Sequence, residues 1–183
     1  MLIKENLLIQ KFKEQKTQYS PILIYGPNEG LVRENFLKIR EIFNQNNAQE
    51  INFTGKLIND QPEALIDEIR TVSMFSDQKI IIIEQPIDRN IDLFDEAFSI
   101  LPDHTLVIVL ANNLPKSSKI RKFFEISEKY FSCTNYEDDF RSNSQQIKNL
   151  EKSINKTLNS DIKSYLNQNL SSNRMISKNE IEK

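Results

Sequence analysis

The sequence predicts an α/β fold in which a mostly parallel, five-stranded sheet is flanked by helices. Between residues 22 and 134, short segments rich in Ile, Val, Leu and aromatic residues alternate with amphipathic, helix-like segments. The apolar character of the short segments is nearly continuous, as in strands that are buried on both faces of a parallel sheet. Their alternation with helices indicates right-handed βαβ units in a three-layer domain.

The predicted elements follow one another in a regular order. The strands are Ile22–Tyr25, Ile51–Thr54, Ile80–Glu84, Leu106–Leu110 and Phe131–Thr134. Helices are predicted where apolar residues recur every three or four positions, in residues 31–43, 65–72, 90–101 and 117–128. The polar residues 135–144 predict a linker, and the later apolar positions have helical spacing only. We therefore expect an α/β domain over residues 1–137 and a partial helical domain over residues 138–183, cut short within a helix.

Composition and charge exclude several classes of function. Hydrophobic residues make up 38% of the 183 residues, enough for one sizeable core, and no apolar run is long enough to cross a membrane. The net charge of −2 argues against a protein that grips nucleic acid by charge alone. Cys133, the only cysteine, is expected in a strand core and fits a cytoplasmic location. His104 has no Cys or His neighbours, so we predict no metal site and no catalytic set.

One strand–turn–helix segment has the outline of a phosphate-binding loop. A working loop reads G-x-x-x-x-G-K-[ST], in which the Lys reaches the phosphates and the hydroxyl holds Mg²⁺. Leu31 and Val32 stand where the Lys and the Ser or Thr are required. We interpret the turn as a degenerate P-loop whose glycines permit close packing, while weak anion binding at the helix N-terminus stays open. Its residues are Gly26, Pro27, Asn28, Glu29 and Gly30.

Two further segments carry candidate binding residues. Met74 and Phe75 follow Val72 and Ser73 in a polar turn. Such a pair either folds into the core, which the pattern alone favours, or stays exposed as an anchor for another protein's pocket.

Four basic residues follow the strand that ends at Leu110, where a ligand of a parallel sheet would lie. Contact with a phosphate or with DNA is one interpretation, and a solvated helix start capped by Ser117 or Ser118 is the favoured one. The four are Lys116, Lys119, Arg121 and Lys122.

Taken in order, these segments resemble the delta subunit of bacterial DNA polymerase III, the clamp-loader subunit that opens the sliding clamp. The resemblance rests on Leu23–Glu34, on Ser73–Ser76 before an apolar strand, and on Leu106–Leu110 with the segments that follow it. Those segments are Leu114–Lys119 and Phe123–Glu125, and the last matching stretch is Asn173–Lys183.

The resemblance implies an AAA+/RecA-like P-loop-type fold that neither binds nor hydrolyses ATP and needs no cofactor. It implies that Met74 and Phe75, beside Val72 and Ser73, insert into the clamp's hydrophobic pocket, which reverses the preference for the core. Preferential binding to the open ring would then open the clamp. The implied partners are the clamp (beta subunit), the delta prime and gamma/tau subunits through a domain absent here, and DNA indirectly, but no membrane. The family's holoenzyme is a DNA-directed DNA polymerase, a nucleotidyltransferase, yet no catalytic activity is expected of this chain itself.

Two alternatives stay open. The first is a degenerate P-loop protein that binds a nucleotide at the Gly26–Gly30 turn, against which the missing Lys weighs heavily. The second is a loader adaptor that contacts DNA through its basic residues near position 120, for which steep salt dependence would be evidence.

Overall fold

A computed structural model of the chain describes residues 1–3, 5–15, 18–44, 47–71, 76 and 78–177. In this part of the chain, a six-stranded, fully parallel sheet has the order β1-β6-β2-β5-β4-β3. The strands are β1 (Leu2–Ile3), β2 (Ile22–Tyr25), β3 (Gln49–Thr54), β4 (Lys79–Glu84), β5 (Thr105–Ala111) and β6 (Phe131–Thr134). The structure thus confirms the predicted α/β class and all five predicted strands.

The sixth strand corrects the predicted count of five. β1 is only two residues long and pairs with β6 at the edge of the sheet, Leu2 opposite Ser132 and Ile3 opposite Cys133. A two-residue strand carries no periodicity of its own, and its partner lies far along the sequence, so no local pattern indicates it. Cys133 is fully buried in β6, as predicted.

Helices cover both faces of the sheet. α1 (Glu5–Lys13) and α2 (Glu29–Phe43) lie on one face; α3 (Gly55–Asp60), α4 (Pro62–Arg70), α5 (Ile91–Ser99) and α6 (Lys119–Ile126) lie on the other. The first core contains Leu8, Phe12, Phe36 and Phe43, and the second contains Leu65, Ile69, Phe94 and Phe124. Two of these helices, α1 and α3, have no counterpart among the predicted elements.

The chain continues into α7 (Phe140–Ser153) and α8 (Ser160–Asn169). The prediction of a linker up to residue 144 is wrong from Phe140 onward, because Asp139 starts a helix there. Its carboxylate accepts hydrogen bonds from the backbone N–H groups of Arg141 and Ser142. The helix expected through residues 178–183 lies outside the described residues. None of the described helices combines the length and the apolarity that a membrane span requires.

Candidate functional site

The turn after β2 packs directly against the segment that follows β6. Gly26 has a φ of +150°, and a Cβ atom there would overlap the backbone carbonyl of Asn135. Asn135 in turn donates its backbone N–H to the Tyr25 carbonyl at 2.7 Å, and its side-chain oxygen accepts a hydrogen bond from Asn35 at 2.6 Å. Only glycine fits a backbone of this conformation and proximity. The close packing predicted at the two glycines is therefore present at Gly26.

Asn28 joins the turn to a distant part of the chain. Its side-chain oxygen caps α2 by accepting a hydrogen bond from the Leu31 N–H at 3.1 Å, and it also accepts one from the Arg174 N–H at 3.0 Å. Its amide nitrogen donates to the Ser172 carbonyl at 3.0 Å. Asn28 is only 1% exposed. A single buried side chain thus fixes both the start of α2 and the segment around residue 173.

That segment lies against Gly30, at the N-terminal end of α2. A Cβ atom on Gly30 would lie 2.5 Å from the Met175 nitrogen and 2.6 Å from Asn173 Oδ1. In a working phosphate-binding loop, this end of the helix is where the backbone cradles the phosphates. A phosphate bound here would have to displace residues 173–175.

An ion pair holds the segment in place. The Arg174 guanidinium donates two hydrogen bonds to the Asp138 carboxylate, from Nε at 2.7 Å and from the terminal nitrogen at 2.6 Å. The Asp138 side chain is 2% exposed and that of Arg174 15%. The Glu34 carboxylate of α2 lies 3.8 Å from the same guanidinium. Bidentate pairing of this kind is strong and geometrically specific.

The two residues that replace the reactive groups of a phosphate-binding loop are buried within the protein. Leu31 is 1% exposed and Val32 packs in the core beneath α2. The turn is therefore closed. Residues 173–175 of the same chain fill it, and the Asn28 side chain caps the helix that follows it.

The predicted anchor, Val72, Ser73, Met74 and Phe75, lies outside the described residues, so its role stays a prediction. The structure describes both of its flanks. α4 ends at Arg70, and both Arg70 and Thr71 are exposed. The chain is described again at Ser76 and from Gln78 into β4.

The basic residues near position 120 differ in what they contact. Lys116, Lys119 and Lys122 are exposed. Arg121 pairs with Glu125 at 2.9 Å and donates to the Leu114 carbonyl at 3.2 Å. Its contact with DNA stays a prediction, but its guanidinium already has partners within the protein.

Ser118 caps α6, which confirms one of the two predicted caps. Its hydroxyl accepts a hydrogen bond from the Arg121 N–H and donates one to the Asp88 carboxylate. Although partial burial opposes it, hydrogen bonds from the backbone N–H groups of Ile120 and Lys119 and from Ser118 lower the pKa of Asp88. This carboxylate therefore stays charged at the helix N-terminus.

Sequence reasoning missed the pair formed by Asp138 and Arg174. Of two adjacent acidic residues, Asp139 caps the N-terminus of α7, whereas Asp138 binds the arginine. The partners are 36 positions apart, and no local pattern connects them. Asn28 was a signal that the sequence does contain, since Asn directly before a helix is a common cap. The same side chain also contacts Arg174.

Together, the parallel sheet and the turn define the class of this protein: an α/β domain with an AAA+/RecA-like, P-loop-type fold, in which the chain itself closes the turn after β2. The solved structures that share the fold include two DnaA proteins and one clamp-loader protein. The structure of AMPPCP-bound DnaA from Aquifex aeolicus has a TM-score of 0.61 at 15% identity, over 96% of this chain and 58% of that one. Domain III of Thermotoga maritima DnaA has a TM-score of 0.52 at 12% identity, over 94% and 78%.

The family follows from the sequence itself. The family model described as DNA polymerase III, delta subunit, matches residues 22–134, which is more than half of the chain. The chain therefore belongs to the DNA polymerase III delta subunit family. The third structure, the Bacillus subtilis DNA clamp loader delta protein, has a TM-score of 0.59 at 16% identity, over 97% of this chain and 56% of that one. This chain thus spans less than two thirds of the Bacillus and Aquifex proteins, and no curated protein matches its sequence.

Proposed function

We propose that this chain is a clamp-loader delta subunit that binds the sliding clamp through Met74 and Phe75 and favours the open ring without using ATP itself. The observation that carries the proposal is the family match over residues 22–134, because it includes the connection between α4 and β4 in which this pair stands. The exposure of Arg70 and Thr71 supports it, since the chain leaves α4 at the surface.

The chemistry of the pair suits an apolar pocket. A buried aromatic residue is a common hot spot of protein interfaces, and Met adapts its shape to an irregular pocket. Fully burying a side chain of this size is worth about 1.5–3 kcal/mol. Two such side chains, inserted together, are enough to dominate the affinity of a modest interface.

Ring opening would follow from preferential binding. A partner that binds the open ring more tightly than the closed ring shifts the equilibrium by its difference in affinity, and no bond needs to be broken. The closed turn supports independence from nucleotide, because residues 173–175 lie where a phosphate would bind.

The remaining partners belong to the same proposal. A delta subunit would assemble with the delta prime and gamma/tau subunits through a further domain, and would meet DNA within that assembly. Polymerase activity, a nucleotidyl transfer, would belong to the holoenzyme and not to this chain. Its cellular location would be the cytoplasm, where bacterial DNA is replicated.

A calorimetric titration with a bacterial sliding clamp tests the proposal. The parent should bind, and the Met74→Ala, Phe75→Ala double variant should lose at least a hundredfold in affinity, about 2.7 kcal/mol. Its thermal unfolding should stay close to that of the parent, since a pair that inserts into a partner contributes little to the chain's own core.

A matched control removes one aliphatic and one aromatic side chain elsewhere on the surface. Ile126 is 80% exposed and Phe140 68%, so their double alanine variant should bind like the parent. A sharp fall in the unfolding temperature of the Met74/Phe75 variant would mean that the pair belongs to the core. Unchanged binding by that variant would show that the anchor is elsewhere.

A further inference from the structure

Lys79, the first residue of β4, is a buried cation. It is 4% exposed and is the only lysine or arginine among the buried residues that the structure describes. Its ammonium group donates to the carboxylate of Glu68 at 2.7 Å, to the backbone carbonyl of Glu68 at 2.7 Å and to that of Thr71 at 2.6 Å. Burying an ammonium group is costly unless it is paired and hydrogen-bonded, and here all three donors are used.

These contacts cap the C-terminal end of α4. The last carbonyls of a helix lack partners within the helix, and a cation there also interacts favourably with the helix dipole. Thr71 adds two bonds of its own, donating its N–H at 2.9 Å and its hydroxyl at 2.8 Å to the Asp67 carbonyl. The last turn of α4 is therefore held by the lysine from the sheet and by the threonine from its own end.

Lys79 is itself fixed by the sheet. It pairs with Gln49 of β3 and with Thr105 of β5, and its N–H donates to the His104 carbonyl at 3.1 Å. One residue therefore ties together both ends of the connection between α4 and β4. Its backbone begins the strand after the connection, and its side chain binds Thr71 before it.

We infer that Lys79 is a positioning residue for the anchor: by holding Thr71 against the start of β4, it fixes the two described ends of the connection in whose sequence Met74 and Phe75 stand. The inference rests on the proposed clamp binding through Met74 and Phe75. Fixing both ends of a binding segment before it meets its partner reduces the conformational entropy that is lost on binding. Without the ammonium group, the carbonyls of Glu68 and Thr71 lose their partner, and the last turn of α4 can fray.

The test compares clamp affinity with stability in the same set of variants. Lys79→Met keeps most of the side-chain length but removes all three donors, and clamp binding should weaken roughly tenfold, the effect of releasing one or two ordered side chains. Hydrogen exchange should speed up at the amide of Thr71 while the amides of β5 stay protected. If Lys79→Met does not fold, Lys79→Gln, which keeps one donor group and no charge, replaces it under the same criteria.

The matched control is Ile82→Val in the same strand. Ile82 is buried in the core on the face opposite α4, so this variant lowers stability without touching Glu68 or Thr71. It should bind the clamp like the parent. Parent-like affinity of the Lys79 variant, or an equal loss in Ile82→Val, would overturn the inference while leaving clamp binding intact. If the parent itself does not bind, or if the Met74/Phe75 double alanine variant binds like the parent, the proposed function fails instead.

Discussion

Replacing Arg174 by Met should destabilise the protein strongly, because it leaves the Asp138 carboxylate buried without its guanidinium. The side chain of Asp138 is 2% exposed and accepts two hydrogen bonds from the arginine. Removing one partner of a buried ion pair costs about 3–5 kcal/mol. The Arg174 side chain is 15% exposed, so water can reach part of the site. We therefore expect a loss of stability at the lower end of this range, about 3 kcal/mol.

Thermal unfolding followed by circular dichroism measures this cost. For a chain of this size, 1 kcal/mol corresponds to about 2–4 °C, so Arg174→Met should unfold about 6–12 °C below the parent. The control is Lys163→Met, which breaks an ion pair with Glu151 in which the lysine side chain is 36% exposed. Exposed pairs contribute about 0–1 kcal/mol, so the control should stay close to the parent. An Arg174 variant that unfolds with the control would refute the argument that this pair closes the turn.

Three further predictions concern nucleotide, DNA and pH. ATP with Mg²⁺ should not raise the unfolding temperature, because residues 173–175 fill the turn; a concentration-dependent rise would contradict this. If the exposed lysines contact DNA, replacing Lys116, Lys119 and Lys122 by Ala should weaken DNA binding and flatten its salt dependence by roughly one unit per lost phosphate contact, whereas salt-independent binding would exclude them. Burial, with the Glu125 carboxylate beside it, raises the pKa of Tyr25 from 10.0 to about 12. The tyrosine therefore stabilises the fold fully below pH 10, and this contribution should be lost as the pH rises towards 12. Urea unfolding at the two ends of that range should show a larger loss of stability in the parent than in Tyr25→Phe.

Four of the five predicted strands, β2, β4, β5 and β6, were predictable because each buries both faces at once, whereas only Phe53 is buried in β3. Ile22–Tyr25 and Phe131–Thr134 have the bounds that the sequence predicts, and the other three extend the prediction by one or two residues at one or both ends. A continuous apolar run of this length between polar segments is a strong local signal. The edge strand Leu2–Ile3 has no such signal, because its existence depends on pairing with β6.

The closed turn was only half predictable. The missing Lys and Ser or Thr are visible at Leu31 and Val32, and they exclude the usual phosphate chemistry. What fills the turn is not visible, since Arg174 and Asp138 are brought together by the fold and not by spacing. The same is true of Lys79, whose contacts cross from a strand to the preceding helix.

For the proposed clamp-binding pair, in contrast, the sequence pattern and the family resemblance favour different roles. From the pattern alone, Met74 and Phe75 favour the core, and only the family resemblance makes them an anchor. Local physics does not separate the two roles, because a large apolar pair suits a core and a partner's pocket equally well. The decision therefore depends on an experiment with the partner.

The most direct measurement is the opening of a sliding clamp that carries a fluorescent pair across its subunit interface, recorded as this chain is added without nucleotide. We expect a change in fluorescence that saturates with the parent chain and is absent with the Met74→Ala, Phe75→Ala variant. No change with the parent at concentrations that saturate binding, or a change that appears only when ATP is added, would contradict nucleotide-independent ring opening by this chain.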